Sequence, residues 1–157
     1  MQARRVKAGI ADLLTSLQGM PVSYSMYVNL PVENLAATKA FFTALGFSFD
    51  PAFTNDDAAG MIIREGHCYV MLLTKPMFHG FFPHKAISDA KTTVEVSVAL
   101  QCDSRAAVDG LVAKALAAGG RTYAEPKDYG FMYGHGFEDL DGHIWELFHM
   151  NAMPPQG

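Results

Sequence analysis

The chain has few charged residues, two cysteines, a single tryptophan and no long apolar run. Only 18% of its 157 residues are charged, and 12 basic against 16 acidic residues give a net charge of −4. No run of lysine and arginine interleaves with aromatic residues, which argues against a nucleic-acid partner. No apolar stretch approaches the ~20 residues needed to cross a lipid bilayer, so we expect no membrane partner.

The two cysteines, Cys68 and Cys102, are too few for a disulfide framework. Unpaired thiols suit a reducing compartment, so we predict a cytoplasmic protein. A chain of 157 residues, half of them hydrophobic, is long enough for one globular domain. We predict this domain over residues 23–151, with a helical extension over 1–22 before it and a tail over 152–157 after it.

The most informative stretch is the last predicted strand. An Asp-Gly turn signal at 141–142 leads into large apolar residues, an order typical of a hairpin entering a strand. Alternation along a strand places Trp145 and Leu147 on one face, and Ile144, Glu146 and Phe148 on the other. A carboxylate among apolar neighbours is costly unless it is compensated. We therefore expect Glu146 to line a cavity, to be paired, or to bind a ligand or metal.

The residues around this strand repeat an earlier part of the chain. Residues 66–73 align without a gap with residues 142–149, and both copies begin with Gly-His. A helical pattern that ends in glycine precedes each copy, and a short apolar strand precedes each helix. The sequence thus predicts an α+β fold of two βαβββ modules, at about 25–74 and 93–150. We expect curved mixed sheets that form a concave cavity, helices on the outside, and an additional N-terminal helix.

Alternation, helical spacing and capping residues predict the individual elements. In the first module we expect a strand, a helix capped by Asn34 and stopped by Gly46, and three further strands, over residues 26–32, 34–46, 47–53, 59–64 and 67–74. In the second module we expect a strand, a helix capped by Ser104, a short strand and the approach to the last strand, over residues 94–102, 104–120, 121–124 and 129–134.

Residues 75–91 connect the two modules and contain three phenylalanines and two histidines, His79 and His84. A metal loop or a ligand clamp is conceivable, but histidines without a carboxylate or thiol nearby are weak evidence for a metal. We interpret the segment as a loop that packs on the domain or on a partner subunit. Its aromatic residues, and an apolar stripe in the N-terminal extension, exceed what a monomer usually exposes. We predict a homodimer that uses at least one of two patches: Ile10, Leu13, Leu14 and Leu17, or Phe78, Phe81 and Phe82.

Two segments resemble a known family. The segment YVNLPVENLAATKAFFTALGF and the terminal DLDGHIWELFHM are similar to the vicinal oxygen chelate superfamily, also called the glyoxalase/bleomycin resistance/dioxygenase superfamily. The resemblance extends from about Ser25 to Met150. It implies the βαβββ fold far more specifically than it implies a reaction, because that superfamily includes lyases, isomerases, dioxygenases, thiol transferases and drug-binding proteins.

The resemblance also implies where a metal would bind. Metal-dependent members use one ligand from the first strand and one from the last strand of each module, mostly His, Glu or Gln. Carried onto this sequence, these positions are Tyr27, Val70, Ser97 and Glu146. Only Glu146 is an ordinary divalent-metal ligand, because Val70 has no donor atom and neutral hydroxyls hold transition metals poorly. We predict no cofactor and no complete metal site, with a divalent ion at Glu146 as the less favoured alternative.

Two functions remain open. The first is a binding module for a small, partly aromatic molecule, as in the bleomycin-binding relatives, with a neutral or cationic ligand favoured because no Arg or Lys cluster is available. The second is a lactoylglutathione lyase-like lyase or isomerase with Glu146 as general base and a displaced metal site. A third, purely structural interpretation is that Glu146 is hydrogen-bonded in a cavity and takes part in no reaction. The candidate ligand-binding residues are Tyr27, Asn29, Ser97, Tyr133 and Phe148.

Overall fold

In the computed structural model, which describes residues 24–153, the chain passes through two βαβββ modules in succession. The first module consists of β1 (Met26–Val32), α1 (Leu35–Leu45), β2 (Ser48–Asp50), β3 (Ala58–Arg64) and β4 (Cys68–Thr74). The second module consists of β5 (Ser97–Gln101), α3 (Arg105–Ala117), β6 (Lys127–Asp128), β7 (Met132–Glu138) and β8 (Ile144–Met150). Between them lies the short helix α2 (Lys75–Phe81).

Each module forms its own four-stranded sheet, and the two sheets have the same topology. The strand orders are β1-β4-β3-β2 and β5-β8-β7-β6. In both sheets the first and last strands of the module are parallel neighbours, and the other pairs are antiparallel. The predicted α+β fold of two βαβββ modules is therefore confirmed, although the two sheets remain separate. The predicted helix over 1–22 and most of the predicted tail lie outside the described residues.

The ends of α1 have the capping chemistry expected from the sequence. The Asn34 side chain accepts a hydrogen bond from the backbone N–H of Ala37 at 3.0 Å, which satisfies a donor of the first turn. At the other end Gly46 adopts φ 104°, and its N–H donates to the carbonyls of Phe42 and Thr43. A residue with a Cβ is strained in this left-handed conformation, so glycine suits the position.

One hydrophobic core joins the two modules. Phe42 of α1 lies 4.9 Å from the ring of Trp145 in β8, and Phe41 lies 6.0 Å from Phe137 in β7, both measured between ring centroids. Helix α1 thus packs on the second sheet as well as on its own. Trp145 is fully buried there, on the strand face that it shares with Leu147 as alternation predicts.

The helix layer determines which sheet faces remain open. The helices cover the faces that carry the core side chains Val70, Leu72, Trp145 and Leu147. The opposite face of each sheet turns away from this shared core, and successive side chains of a strand alternate between the two faces. Tyr27 of the first sheet and Glu146 of the second lie on these outer faces, and both side chains are exposed.

Three local predictions differ from the structure. The strand expected over 47–53 ends after three residues at Asp50, where Pro51 begins a single 3₁₀ turn because proline cannot donate to the sheet ladder. The loop expected over 75–91 begins with helix α2. Residues 121–124 form only an isolated bridge, between Arg121 and Glu138, and the short edge strand of this sheet lies later, at β6.

Candidate functional site

Glu146 occupies the middle of β8 on the outer face of the second sheet. It is flanked by Ala99 of β5 and Gly136 of β7, which are its cross-strand neighbours. The Ser97 hydroxyl donates a hydrogen bond of 3.1 Å to Oε2 of Glu146. The structure therefore brings together two of the predicted site residues, and Ser97 orients the carboxylate.

A cavity of about 350 Å³ opens on this outer face. Glu146 and Phe148 lie along one side of it, as their shared strand face predicts. The remaining wall is mixed, with small, aromatic and a few charged residues: Ala99, Tyr123, Ala124, Glu125, Lys127, Tyr129, Met132, Gly134, His135, Gly136 and Leu147. A largely apolar wall with a few placed polar groups is typical of a small-molecule site.

Tyr123 is a site residue that the sequence reasoning missed. A Cβ on Gly136 would lie 2.3 Å from the Tyr123 hydroxyl, so the phenol rests directly over this glycine and beside Glu146. Partial burial, and then the negative charge of Glu146, raise the pKa of Tyr123 above its usual value. The phenol is thus a hydrogen-bond donor at neutral pH. The sequence signal was the Gly-x-Gly of 134–136, because glycine inside a strand marks a close approach to its face.

The outer face of the first sheet is aromatic. Tyr27 of β1 stacks on Tyr69 of β4 with ring centroids 4.9 Å apart and planes 11° apart. Phe53 meets Tyr27 edge-on at 6.3 Å. Asn29 follows Tyr27 on the same face and lines a separate cavity of about 340 Å³ at the junction with the linker, which Ile144 also lines. Tyr27 and Asn29 therefore do not share the cavity of Glu146 within one chain.

Val70 is not on the outer face, which corrects the position carried over from the family pattern. It is 1% exposed, pairs with Val28 and belongs to the core. Met71 is the counterpart of Glu146, because Met71 pairs with Gly60 as Glu146 pairs with Gly136.

The cause of this one-residue slip is the hairpin before each last strand. Three residues, 65–67, join β3 to β4 next to a register shift in β3, whereas five residues, 139–143, join β7 to β8 without a shift. A slip of one residue moves every side chain to the other face of a strand. The ungapped match of the two segments therefore aligned a core residue with a surface residue.

Tyr133 lies apart from the other candidate residues. Its hydroxyl donates to Oδ1 of Asp109 in α3 at 2.7 Å, and the Arg105 guanidinium lies 5.1 Å from its ring centroid. The hydrogen bond to Asp109 is the main cause of a raised Tyr133 pKa. Tyr133 pairs with His149, whose Nδ1 is 3.0 Å from the Cys102 carbonyl oxygen. Both side chains alternate with the outer-facing residues and so lie on the helix side of the sheet.

The four family ligand positions do not fit a divalent metal. After correction for the slip they are Tyr27, Met71, Ser97 and Glu146, which offer one carboxylate, one thioether and two neutral hydroxyls. Among residues 24–153, no three His, Cys, Asp or Glu side chains lie close enough together to hold a metal ion. The donor set thus disagrees with the metal chemistry of the metal-dependent members.

Comparison with known proteins identifies the class to which this fold and site belong. The model of the Glyoxalase/Bleomycin resistance protein/Dioxygenase superfamily matches residues 25–147. The chain therefore belongs to this superfamily. No curated protein matches it, and in the described part of the chain no helix is long and apolar enough to cross a membrane.

Solved structures show the same fold. Hypothetical protein SA1046 from S. aureus is 31% identical, with a TM-score of 0.67 over 85% of this chain and 98% of that one. A glyoxalase/bleomycin resistance protein/dioxygenase family enzyme from Burkholderia phytofirmans PsJN is 19% identical, with a TM-score of 0.67 over 79% and 96%. The fosfomycin resistance protein FosX from Listeria monocytogenes is 19% identical, with a TM-score of 0.59 over 87% and 96%. The last two likenesses concern the fold alone.

Proposed function

We propose that this protein binds a small, partly aromatic, neutral or cationic molecule on the outer face that carries Glu146, without a complete metal site. The observation that carries this proposal is the cavity beside Glu146, which combines two carboxylates, Glu125 and Glu146, and one lysine with aromatic walls. Glu146 disfavours an anionic ligand, and among residues 24–153 Lys127 is the one lysine or arginine in the cavity wall. A ligand with several phosphates or carboxylates would lack counter-charges there.

The test of this proposal compares benzylamine with benzoate, because the two probes share a ring and differ in charge. We expect benzylamine to bind more tightly in ligand-observed NMR titrations. Glu146→Gln keeps the shape of the side chain and removes its charge, so this variant should weaken benzylamine about tenfold. Tighter binding of benzoate, or benzylamine affinity that is unaffected by Glu146→Gln, would contradict the proposal.

The absence of a complete metal site is tested separately. We expect protein purified without chelator to hold far less than one zinc, nickel or manganese per chain by elemental analysis. The donor set of Tyr27, Met71, Ser97 and Glu146 is the reason. Near-stoichiometric metal that disappears in Glu146→Ala would overturn this part of the proposal.

We also propose that the binding site is completed across a homodimer. The outer faces of the two sheets turn away from one shared core, and Tyr27 does not line the cavity of Glu146 within one chain. Strands β1 and β5 are at the edges of the described sheets. Exposed apolar side chains lie at these edges, where an unpaired strand favours a partner: Tyr24, Met26, Val94 and Val96. The Phe78–Phe82 patch and the N-terminal stripe remain alternative contacts.

A mixing experiment tests the shared site. Tyr27→Ala and Glu146→Ala are each expected to lose ligand binding as homodimers. If a site takes Tyr27 from one chain and Glu146 from the other, a heterodimer of the two variants regains one intact site. The heterodimer, isolated from coexpressed chains that carry different affinity tags, should therefore show about half of the wild-type benzylamine binding capacity. No recovery, or a monomer at micromolar concentration in light scattering, would contradict the arrangement.

The second candidate function is the glyoxalase-type lyase or isomerase, with Glu146 as base. The observation that favours it is the hydrogen bond from Ser97, which holds the carboxylate in a cavity beside the Tyr123 phenol. A hemithioacetal of glutathione is the substrate to test. If the protein turns over this substrate and Glu146→Gln abolishes the turnover, the lyase would replace the binding module as the proposed function.

The cytoplasmic location stays a prediction. Cys68 and Cys102 are both unpaired, which agrees with it.

A further inference from the structure

The cavity beside Glu146 places a hydrogen-bond donor next to an acceptor. Gly136 and Glu146 are directly opposite each other on β7 and β8, where Cβ positions are about 4.5–5.5 Å apart. The Tyr123 hydroxyl lies 2.3 Å from the Cβ position of Gly136. The phenol and the carboxylate are therefore within one side-chain length of each other on the same face. Both residues line the cavity.

The two groups have complementary roles. A neutral phenol donates a hydrogen bond, and Ser97 already donates to Oε2 of Glu146, which leaves Oε1 to accept from a ligand. A ketone would match Tyr123 but leave the carboxylate without a donor. An ammonium group would match Glu146 but give nothing to the phenol. A partner that offers an N–H beside a C=O satisfies both, and leaving either group unpaired on binding costs affinity.

We propose that Tyr123 and Glu146 together recognise a carboxamide-type group, such as a primary amide, a lactam or a ureide. The N–H of the ligand donates to Glu146, and its C=O accepts from Tyr123. Tyr129 and Phe148, in the same cavity, take the aromatic part of the ligand. This inference rests on the proposed function, because it assigns a ligand class to that site.

The experiment uses three aromatic probes that share a ring: benzamide, benzylamine and acetophenone. Their affinities are measured by ligand-observed NMR with wild type, Tyr123→Phe and Glu146→Gln. We expect wild type to bind benzamide more tightly than acetophenone. Tyr123→Phe should weaken benzamide roughly tenfold and leave benzylamine within about twofold, since only the amide uses the phenol. Glu146→Gln should weaken benzylamine and leave benzamide nearly unchanged, because the glutamine oxygen still accepts from an amide N–H.

Tyr133→Phe is the matched control, because it removes a phenol hydroxyl that donates to Asp109 on the helix side of the same sheet and lies outside the cavity. It should leave benzamide affinity unchanged. Equal loss in Tyr133→Phe and Tyr123→Phe, or no loss in Tyr123→Phe, would overturn the assignment of Tyr123. If benzylamine still depends on Glu146 in that case, the proposed function stands. If no probe binds wild type, the proposed function fails and this inference fails with it.

Discussion

The two modules build the same local arrangement from different side chains. In the first module Phe53 lies over Gly60, which pairs with Met71 at the middle of β4. In the second module Tyr123 lies over Gly136, which pairs with Glu146 at the middle of β8. Each arrangement consists of an aromatic residue, a glycine and a central outer-facing residue.

The difference between them is polarity. Phe53 and Met71 are apolar, whereas Tyr123 and Glu146 carry a donor and a charge. The first module thus supplies an aromatic wall, which Tyr27 and Tyr69 extend. The second supplies the polar groups. Both modules share the packing of an aromatic residue over a glycine. The second module alone adds a hydrogen-bond donor and a carboxylate to this arrangement.

The likeness between the two modules requires that Met71 is the counterpart of Glu146. A pair of substitutions tests this, with the largest expected effect on stability. Val70→Glu buries a carboxylate in the core and should cost about 4 kcal/mol or more, or prevent folding. Met71→Glu places the same group on the outer face and should cost about 1 kcal/mol or less. Urea denaturation measures both. Similar losses in the two variants would refute the assigned register.

The second prediction concerns a turn that only one module has. In the hairpin before β8, the buried Asp139 accepts hydrogen bonds from Nε1 of Trp145 at 3.0 Å and from the backbone N–H groups of Asp141 and His143 at 3.0 Å. Asp139→Ala leaves these donors without a partner and should cost about 3 kcal/mol in thermal or urea unfolding. Asp139→Asn keeps one acceptor oxygen and should lose less. A neutral effect of Asp139→Ala would show that the turn does not depend on this carboxyl group.

The third prediction uses two neighbouring glycines of β7. A Cβ on Gly136 would meet the Tyr123 hydroxyl at 2.3 Å and the Trp145 carbonyl oxygen at 2.6 Å. Gly136→Ala should therefore destabilise the protein by about 2 kcal/mol. On Gly134 the nearest atom, the Leu147 carbonyl oxygen, is 3.9 Å away, so Gly134→Ala should change stability by about 0.5 kcal/mol or less. Equal behaviour of the two variants in calorimetry would contradict the placement of Tyr123.

The smallest expected effect is a shift in the titration of Tyr123. Burial and the charge of Glu146 hold its pKa above the ordinary value of about 10. The stabilising contribution of the neutral phenol is thus complete below about pH 10 and is lost as the pH rises through the higher folded-state pKa. Phenolate absorbance of wild type minus Tyr123→Phe isolates this group. Glu146→Gln should lower the pKa of Tyr123, and an unchanged titration would place the two groups further apart.

Strand periodicity was enough to predict most of the fold and part of the site. Alternation in 144–148 correctly separated Trp145 from Glu146, and the caps of α1 followed from Asn34 and Gly46. These features depend on neighbours in sequence. Residue spacing therefore determines them.

The remaining features depend on contacts that the sequence does not display. Val70 was placed on the wrong face because hairpin length and a register shift, not residue type, decide which side of β4 it occupies. Tyr123 was overlooked because it follows a helix in a segment with only an isolated bridge, and its role arises from Gly136 on another strand. The packing of α1 on both sheets likewise requires tertiary contacts.

The packing of α1 on both sheets also bears on how the chain unfolds. Without the second module, the Phe41 and Phe42 side chains of α1 would lose the rings of Phe137 and Trp145 that cover them. Neither module therefore has a complete core of its own. We expect the two modules to unfold together in one cooperative transition, although each has its own sheet.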